Sequence, residues 1–244
     1  MSDLLPQWSE NASQEFIDNG RYFVPERETQ MQTICGLIPP RFEPFHVLEL
    51  CCGEGLLAET ILKQYSAAIV HGYDGSPAML AAAQKRLALF GDRFETRQFN
   101  LADLDWRTVP WALHAVVSSL AIHHLDGAEK QRLFADVAQM LAPGGAFIIA
   151  DVIQPTNQFG TAVAAGAWDR AVQKRALELD GNMAAYDFFK AQKWNMYRHP
   201  DPIDKPSPLF DQLQWLTDAG FEAVDVYWMQ AGHAIFGGRK PAVL

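Results

Sequence analysis

Apolar residues along this chain follow two alternating rhythms. Short runs over residues 47–50, 67–73, 94–99, 111–120 and 146–151 have the length and composition of buried strands. Between them apolar residues recur at helical spacing: Leu56, Leu57, Ile61 and Leu62, then Met79, Leu80, Ala83 and Leu87, then Leu133, Phe134, Val137, Met140 and Leu141. This alternation predicts a mostly parallel sheet with helices on both faces. Ser76 and Pro77 supply a cap and a first-turn proline for one helix, and Pro143-Gly144-Gly145 stops another. Ahead of the first strand, one short helix is expected from near Ser9. A second is expected to have Pro25 at its first position and Met31, Ile34, Cys35 and Ile38 on one face.

The rhythm breaks over residues 153–206. Helical patterns over 162–179 and 183–196 carry many aromatics, and a proline-rich return follows at 199–206. Ser207 and Pro208 then cap a last helix bearing Leu209, Leu213 and Leu216, and strands over 221–228 and 231–238 make a hairpin. Four segments result: N-terminal helices as a cover (1–40), an α/β core (41–152), a helical cap (153–206), and a helix with a hairpin that completes the core (207–244).

The length of 244 residues suits one α/β domain with an insertion, and 49% apolar residues supply a sizeable core. A net charge of −9 argues against broad nucleic-acid binding, which depends on Lys and Arg contacts with phosphates. Three cysteines give neither a disulfide framework nor zinc spacing, so no metal is expected. No apolar run reaches the length of a membrane span, and Met1-Ser2-Asp3-Leu4-Leu5-Pro6 lacks the pattern of a secretory signal; a cytoplasmic protein is expected.

Chemistry concentrates where the first strand meets its glycine turn. Gly53 and Gly55 let the backbone approach a ligand at a helix N-terminus, and open α/β sheets bind nucleotides at such a point. Asp74 closes the second strand about twenty residues beyond Gly55, the offset of an acid that holds ribose hydroxyls. These features also fit a dinucleotide-binding dehydrogenase. Glu49 and the terminal hairpin count against that alternative, because a dehydrogenase sheet normally continues with parallel strands.

The ordered set of Glu49-x-Cys51-x-Gly53-x-Gly55, Asp74, Asp103, the His123-His124 loop, Leu141-x-Pro143-Gly144-Gly145 and the final hairpin resembles the class I S-adenosylmethionine (SAM) methyltransferases of small-molecule type. The likeness covers roughly residues 46–152 and 207–239. It implies a Rossmann-like, seven-stranded, mostly parallel sheet with a C-terminal antiparallel hairpin. It places Glu49, Cys51, Gly53, Gly55, Ser118 and Ser119 by the methionine part of SAM, Asp74 and Gly75 at its ribose, and Met79, Asp103 and Leu104 at its adenine. His123, His124 and Asp151 become candidate catalytic groups, and Tyr22, Arg27, Trp168, Trp194, Tyr197 and His233 candidate substrate contacts. The implied reaction moves a methyl group to a small-molecule acceptor and leaves S-adenosylhomocysteine. More distantly the chain is similar to carboxy-SAM synthase. Non-methyl SAM chemistry such as cyclisation, and SAM binding without catalysis, therefore stand as alternatives.

Overall fold

The computed structural model describes residues 8–242, so residues 1–7 of the N-terminal segment and the last two residues lie outside the described residues. Seven strands form one sheet in the order β3-β2-β1-β4-β5-β7-β6. They are β1 (Phe45–Leu50), β2 (Ala68–Asp74), β3 (Phe94–Gln98), β4 (Leu113–Ser119), β5 (Leu141–Val152), β6 (Glu222–Gln230) and β7 (His233–Arg239). The pairs β1–β2, β1–β4, β2–β3 and β4–β5 are parallel, while β7 runs antiparallel to both β5 and β6. The expected Rossmann-like sheet with its closing hairpin is the observed one. Strand order reverses between β1 and β4, which opens a crevice at the carboxyl ends of these two strands.

The helices are α1 (Glu10–Phe23), α2 (Arg27–Leu37), α3 (Leu56–Gln64), α4 (Pro77–Leu87), α5 (Gly127–Met140), α6 (Gln158–Asp180), α7 (Ala184–Ala191) and α8 (Leu209–Asp218). One core packs Leu48, Val116, Phe134, Phe147 and Leu216 on one sheet face. The opposite face packs Ile34, Val47, Ile61, Val70 and Ile148. The strand sequences alternate between these two cores, so a shift of one residue in register would send every side chain to the wrong layer. A third, smaller core joins α1 to the α6–α7 segment through Phe23, Trp168, Val172 and Phe189.

Local chemistry sets the boundaries. Ser9 caps α1, Ser76 caps α4 ahead of Pro77, and Asp126 forms a reciprocal capping box with Glu129 on α5. Four expectations are corrected. Pro25 does not open α2; the helix begins at Arg27, after Glu26 turns left-handed at φ 47°. The helix expected over 183–196 stops at Ala191, because Lys193 is also left-handed and buried Asn195 turns its amide onto the Ala165 carbonyl and Asp169. Ser207 does not cap α8; its hydroxyl accepts a hydrogen bond from Lys130 Nζ at 2.8 Å. The Pro-Gly-Gly stretch lies inside β5, which starts at Leu141, because Leu141 pairs with Leu113 across a register shift.

Candidate active site

The site begins at the end of β1. The chain turns through Cys51 (φ 56°), Gly53 (φ 53°) and Gly55 (φ 81°) before α3 starts. Gly55 is required by contact as well as by angle: a Cβ there would stand 2.9 Å from Leu87 Cδ1 and 3.1 Å from Ala83 Cβ. Gly53 meets only Met79 Sδ, at 3.8 Å, and its N–H is held by Asp74 Oδ2 at 2.8 Å. Asp74 Oδ1 accepts from Ser76 N–H, also at 2.8 Å. One carboxylate thus ties the first turn to the second. A carboxylate has about four lone-pair sites, so further acceptor capacity remains for a ligand.

Glu49 is buried at the floor of this turn, and its Oε2 has no hydrogen-bond partner. Burial, reinforced by nearby Asp74, pushes its carboxyl up to about 8. An uncompensated buried carboxyl aimed into a cleft is costly unless a ligand completes it. The cleft itself has a volume of about 880 Å³ and is lined by Glu49, Gly53, Asp74, Met79 and Leu101 on the β1–β2–β3 side and by Ser119 at the end of β4. That volume lies within the roughly 300–1,000 Å³ of small-molecule and cofactor sites. Trp8, Phe16, Arg27, His124, Ile203 and Lys205 line the other side.

Just beyond β4 a short 3-10 turn, Ile122–His124, carries two half-buried histidines against buried Asp151. His123 Nδ1 lies 2.6 Å from Asp151 Oδ1, and the His123 N–H donates to Asp151 Oδ2 at 2.9 Å. Burial pulls the imidazole down, but the Asp151 and Asp204 carboxylates outweigh it and raise His123 to about 9. Burial and the His123 charge lower His124. The return loop from the cap is fastened here: Lys205 N–H donates to the His123 carbonyl at 2.7 Å, and buried Lys130 reaches the Lys205 carbonyl and Ser207. Burial draws the Lys130 ammonium down to about 8.

Comparison with known proteins agrees with this architecture. Residues 47–145 match the model of the methyltransferase domain family. A trans-aconitate 2-methyltransferase of Acidovorax sp. is 29% identical over 193 residues, 73% of this chain and 69% of that protein. An uncharacterised methyltransferase of Synechocystis is 31% identical over 114 residues, 46% of this chain and 49% of its own length. The chain thus spans about half the length of that relative. An O-methyltransferase family protein from Burkholderia thailandensis superimposes with a TM-score of 0.65 at 19% identity, over 97% of this chain and 61% of its own. The match places a methyltransferase domain at residues 47–145. That domain counts against the dehydrogenase alternative.

The methyltransferase domain gathers some candidate residues and disperses others. Glu49, Cys51, Gly53, Asp74, Gly75, Met79, Ser119, Arg27 and His124 line the cleft, and Gly55 shapes it from below. Asp103 and Leu104 do not line it; both are exposed, and Asn100, Leu101 and Ala102 take the place instead. The loop after β3 turns on the Asn100 side chain, which accepts from Ala102 N–H at 3.1 Å, and this aims Asp103 outward. Ser118 spends its hydroxyl on the Leu50 carbonyl at 3.1 Å. His123 and Asp151 lie behind His124, facing one another.

Most of the aromatic substrate candidates turn out to hold the cap together. Tyr22 is buried and bonds Asp180 at 2.6 Å, and Trp168 Nε1 donates to the Phe23 carbonyl at 2.7 Å. The Tyr197 hydroxyl sits between the Gly232 and Ile153 carbonyls, at 2.6 and 2.8 Å. His233 is buried against the edge of Trp168, and burial lowers it to about 4. Trp194 packs on Trp8, Phe16 and Phe23, one layer back from the lining. Sequence reasoning missed Glu10, Trp8, Phe16 and the 202–205 loop. Glu10 Oε2 accepts from Ser76 Oγ and Ala78 N–H at 3.1 and 3.2 Å, placing a carboxylate on the α4 N-terminus. No local pattern marks such a contact between distant segments.

Proposed function

We propose that this protein transfers the methyl group of SAM to an oxygen of a small-molecule acceptor and releases S-adenosylhomocysteine. The observation that carries the proposal is the Asp74 carboxylate, fixed by Gly53 and Ser76 N–H groups with acceptor capacity left over, beside the unpartnered Glu49 Oε2 in one cleft. When bound, SAM supplies a methyl group activated on a sulfonium. Asp74 and Gly75 would hold the ribose, Met79 with Asn100–Ala102 the adenine, and Glu49, Cys51 and Ser119 the cationic methionine end. The protein's own work is then to position the two reactants and exclude water. In this proposal α1 and the residue 153–206 segment act as a cover, with Trp8, Phe16 and Ile203 closing the acceptor side.

Support for an oxygen acceptor comes from a relative named for methylating trans-aconitate and a fold neighbour described as an O-methyltransferase. An acceptor carboxylate would need no general base, whereas a hydroxyl would, and His124 is the imidazole on the lining. Among the described residues no helix is long and apolar enough to cross a membrane. Three free cysteines suit a reducing compartment, and we assign the protein to the cytoplasm.

The test is titration calorimetry with S-adenosylhomocysteine, SAM and NADH in parallel, followed by mass-spectrometric assay of S-adenosylhomocysteine release over a panel of small hydroxy and carboxylic acids. Binding of both sulfur ligands and acceptor-dependent product are expected. SAM consumption without any acceptor, or binding of NADH alone, would overturn the proposal.

A further inference from the structure

We propose that His123, His124 and Asp204 form a binding site for one divalent transition-metal ion of the zinc type, on the acceptor side of the cleft. The three side chains offer ligand atoms that all lie within 4.8 Å of one another. His123 Nε2 stands 3.5 Å and His124 Nδ1 3.4 Å from the same Asp204 oxygen. These separations are long for charge-assisted hydrogen bonds, which run about 2.7–2.9 Å. They match the edge of a coordination tetrahedron: ligand atoms about 2.0–2.1 Å from a zinc ion stand about 3.3–3.4 Å apart.

The tautomer is also set for metal binding. His123 Nδ1 faces Asp151 Oδ1 at 2.6 Å, and Asp151 is itself pinned by the His123 and Val152 N–H groups. That contact holds one proton on Nδ1 and turns Nε2 toward Asp204, so an ion would take the place of the second proton that the two carboxylates hold on Nε2. A carboxylate behind an imidazole in this way is the usual support of a metal-bound histidine. His124 Nδ1 has one other neighbour, the Ile203 carbonyl at 3.3 Å, a weak contact that coordination would replace.

The backbone that presents the ligands is fixed before any ion arrives. His123 and His124 leave the end of β4 on the 3-10 turn, and Asp204 comes from the return loop of the cap. The loop is clamped by the Lys205 N–H bond to the His123 carbonyl and by Lys130. Three protein ligands would leave at least one position open for water or a substrate oxygen, and His124 lies on the cleft lining. Two imidazoles and one carboxylate suit zinc, cobalt or nickel and give little hold on magnesium or calcium. Spacing rules could not show this site, because Asp204 is far from the histidines in sequence.

An ion here would also act on the proposed reaction. It would lower the pKa of an acceptor hydroxyl. The hydroxyl proton would leave to water, the oxygen would bond to the methyl carbon, and the sulfur–methyl bond would break to give a neutral thioether. Only this consequence rests on the methyl-transfer proposal; the site itself does not.

The experiment is titration of chelator-treated, full-length protein with Co2+ by visible absorption and with Zn2+ by calorimetry, without SAM. One equivalent is expected to bind, with the intense visible bands of four- or five-coordinate cobalt. Asp204→Asn and His124→Ala should abolish those bands. Asp151→Asn, behind the ligand, should weaken binding by about 10–100-fold. His199→Ala, an exposed histidine on the same loop, should change nothing. Circular dichroism of each variant confirms the fold. Absence of stoichiometric binding, or binding that survives Asp204→Asn in a folded variant, would overturn the site and leave a metal-free hydrogen-bonded latch.

Discussion

Asp74→Ala is the perturbation that tests the cofactor cleft most directly. In the protein one Asp74 oxygen holds Gly53 N–H and the other Ser76 N–H, both at 2.8 Å, and the residue is 8% exposed. A hydrogen bond to a charged group contributes about 1.5–3 kcal/mol. Removing the carboxylate releases two such bonds, but both N–H groups border an open cleft and water can reach them. The loss of fold stability should therefore sit near the low end, about 2 kcal/mol, which for a domain of this size lowers Tm by about 4–8 °C. The ligand loses more. A ribose diol donating twice to the remaining acceptor sites would forfeit two charge-assisted bonds, and the Gly53 turn that shapes the cleft would loosen as well. An affinity loss of about 3 kcal/mol, or about 150-fold in Kd, is expected for S-adenosylhomocysteine. Calorimetry at fixed pH and salt measures the affinity, and differential scanning calorimetry the fold. A folded Asp74→Ala protein that binds S-adenosylhomocysteine within two-fold of the parent would refute the reasoning, because the ribose could not then rest on Asp74.

Two further outcomes follow from individual residues. Glu49 should make the ligand-free protein less stable as pH rises. Its folded pKa of about 8 lies above the ordinary 4.5, so the folded state binds more protons, and stability falls between about pH 4.5 and 8 by up to about 1.4 kcal/mol per pH unit. Glu49→Gln should flatten that slope in denaturant titrations across the window, and an unchanged slope would show that Glu49 is ionised in the ligand-free fold. Tyr197→Phe should cost about 1–2 kcal/mol, a Tm drop of about 2–8 °C, through the hydroxyl that bridges the Gly232 and Ile153 carbonyls. Its S-adenosylhomocysteine affinity should stay within two-fold, and a larger change would return Tyr197 to the binding site.

Sequence alone determined the layers, the strand–helix order, the glycine turn and the acid at the end of β2. These rest on short-range physics: apolar periodicity, glycine's access to positive φ, and caps a few residues from their helices. The same physics located Ser9, Ser76 and Asp74, each of which acts within its own turn or on the next one. It failed by three residues after β3, where the Asn100 turn decides which side chain faces in, on Pro25, because left-handed Glu26 delays α2 to Arg27, and on Ser207, whose hydroxyl is taken by distant Lys130. Only the tertiary structure could sort the aromatics of the cap into packing and lining, because helical spacing gives a face without saying what lies opposite. Only the tertiary structure brought His123 and His124 to Asp204, and Glu10 to the α4 N-terminus. Those contacts join segments whose separation along the chain leaves no periodic trace, and it is the closing of the sheet and its cap that makes them neighbours.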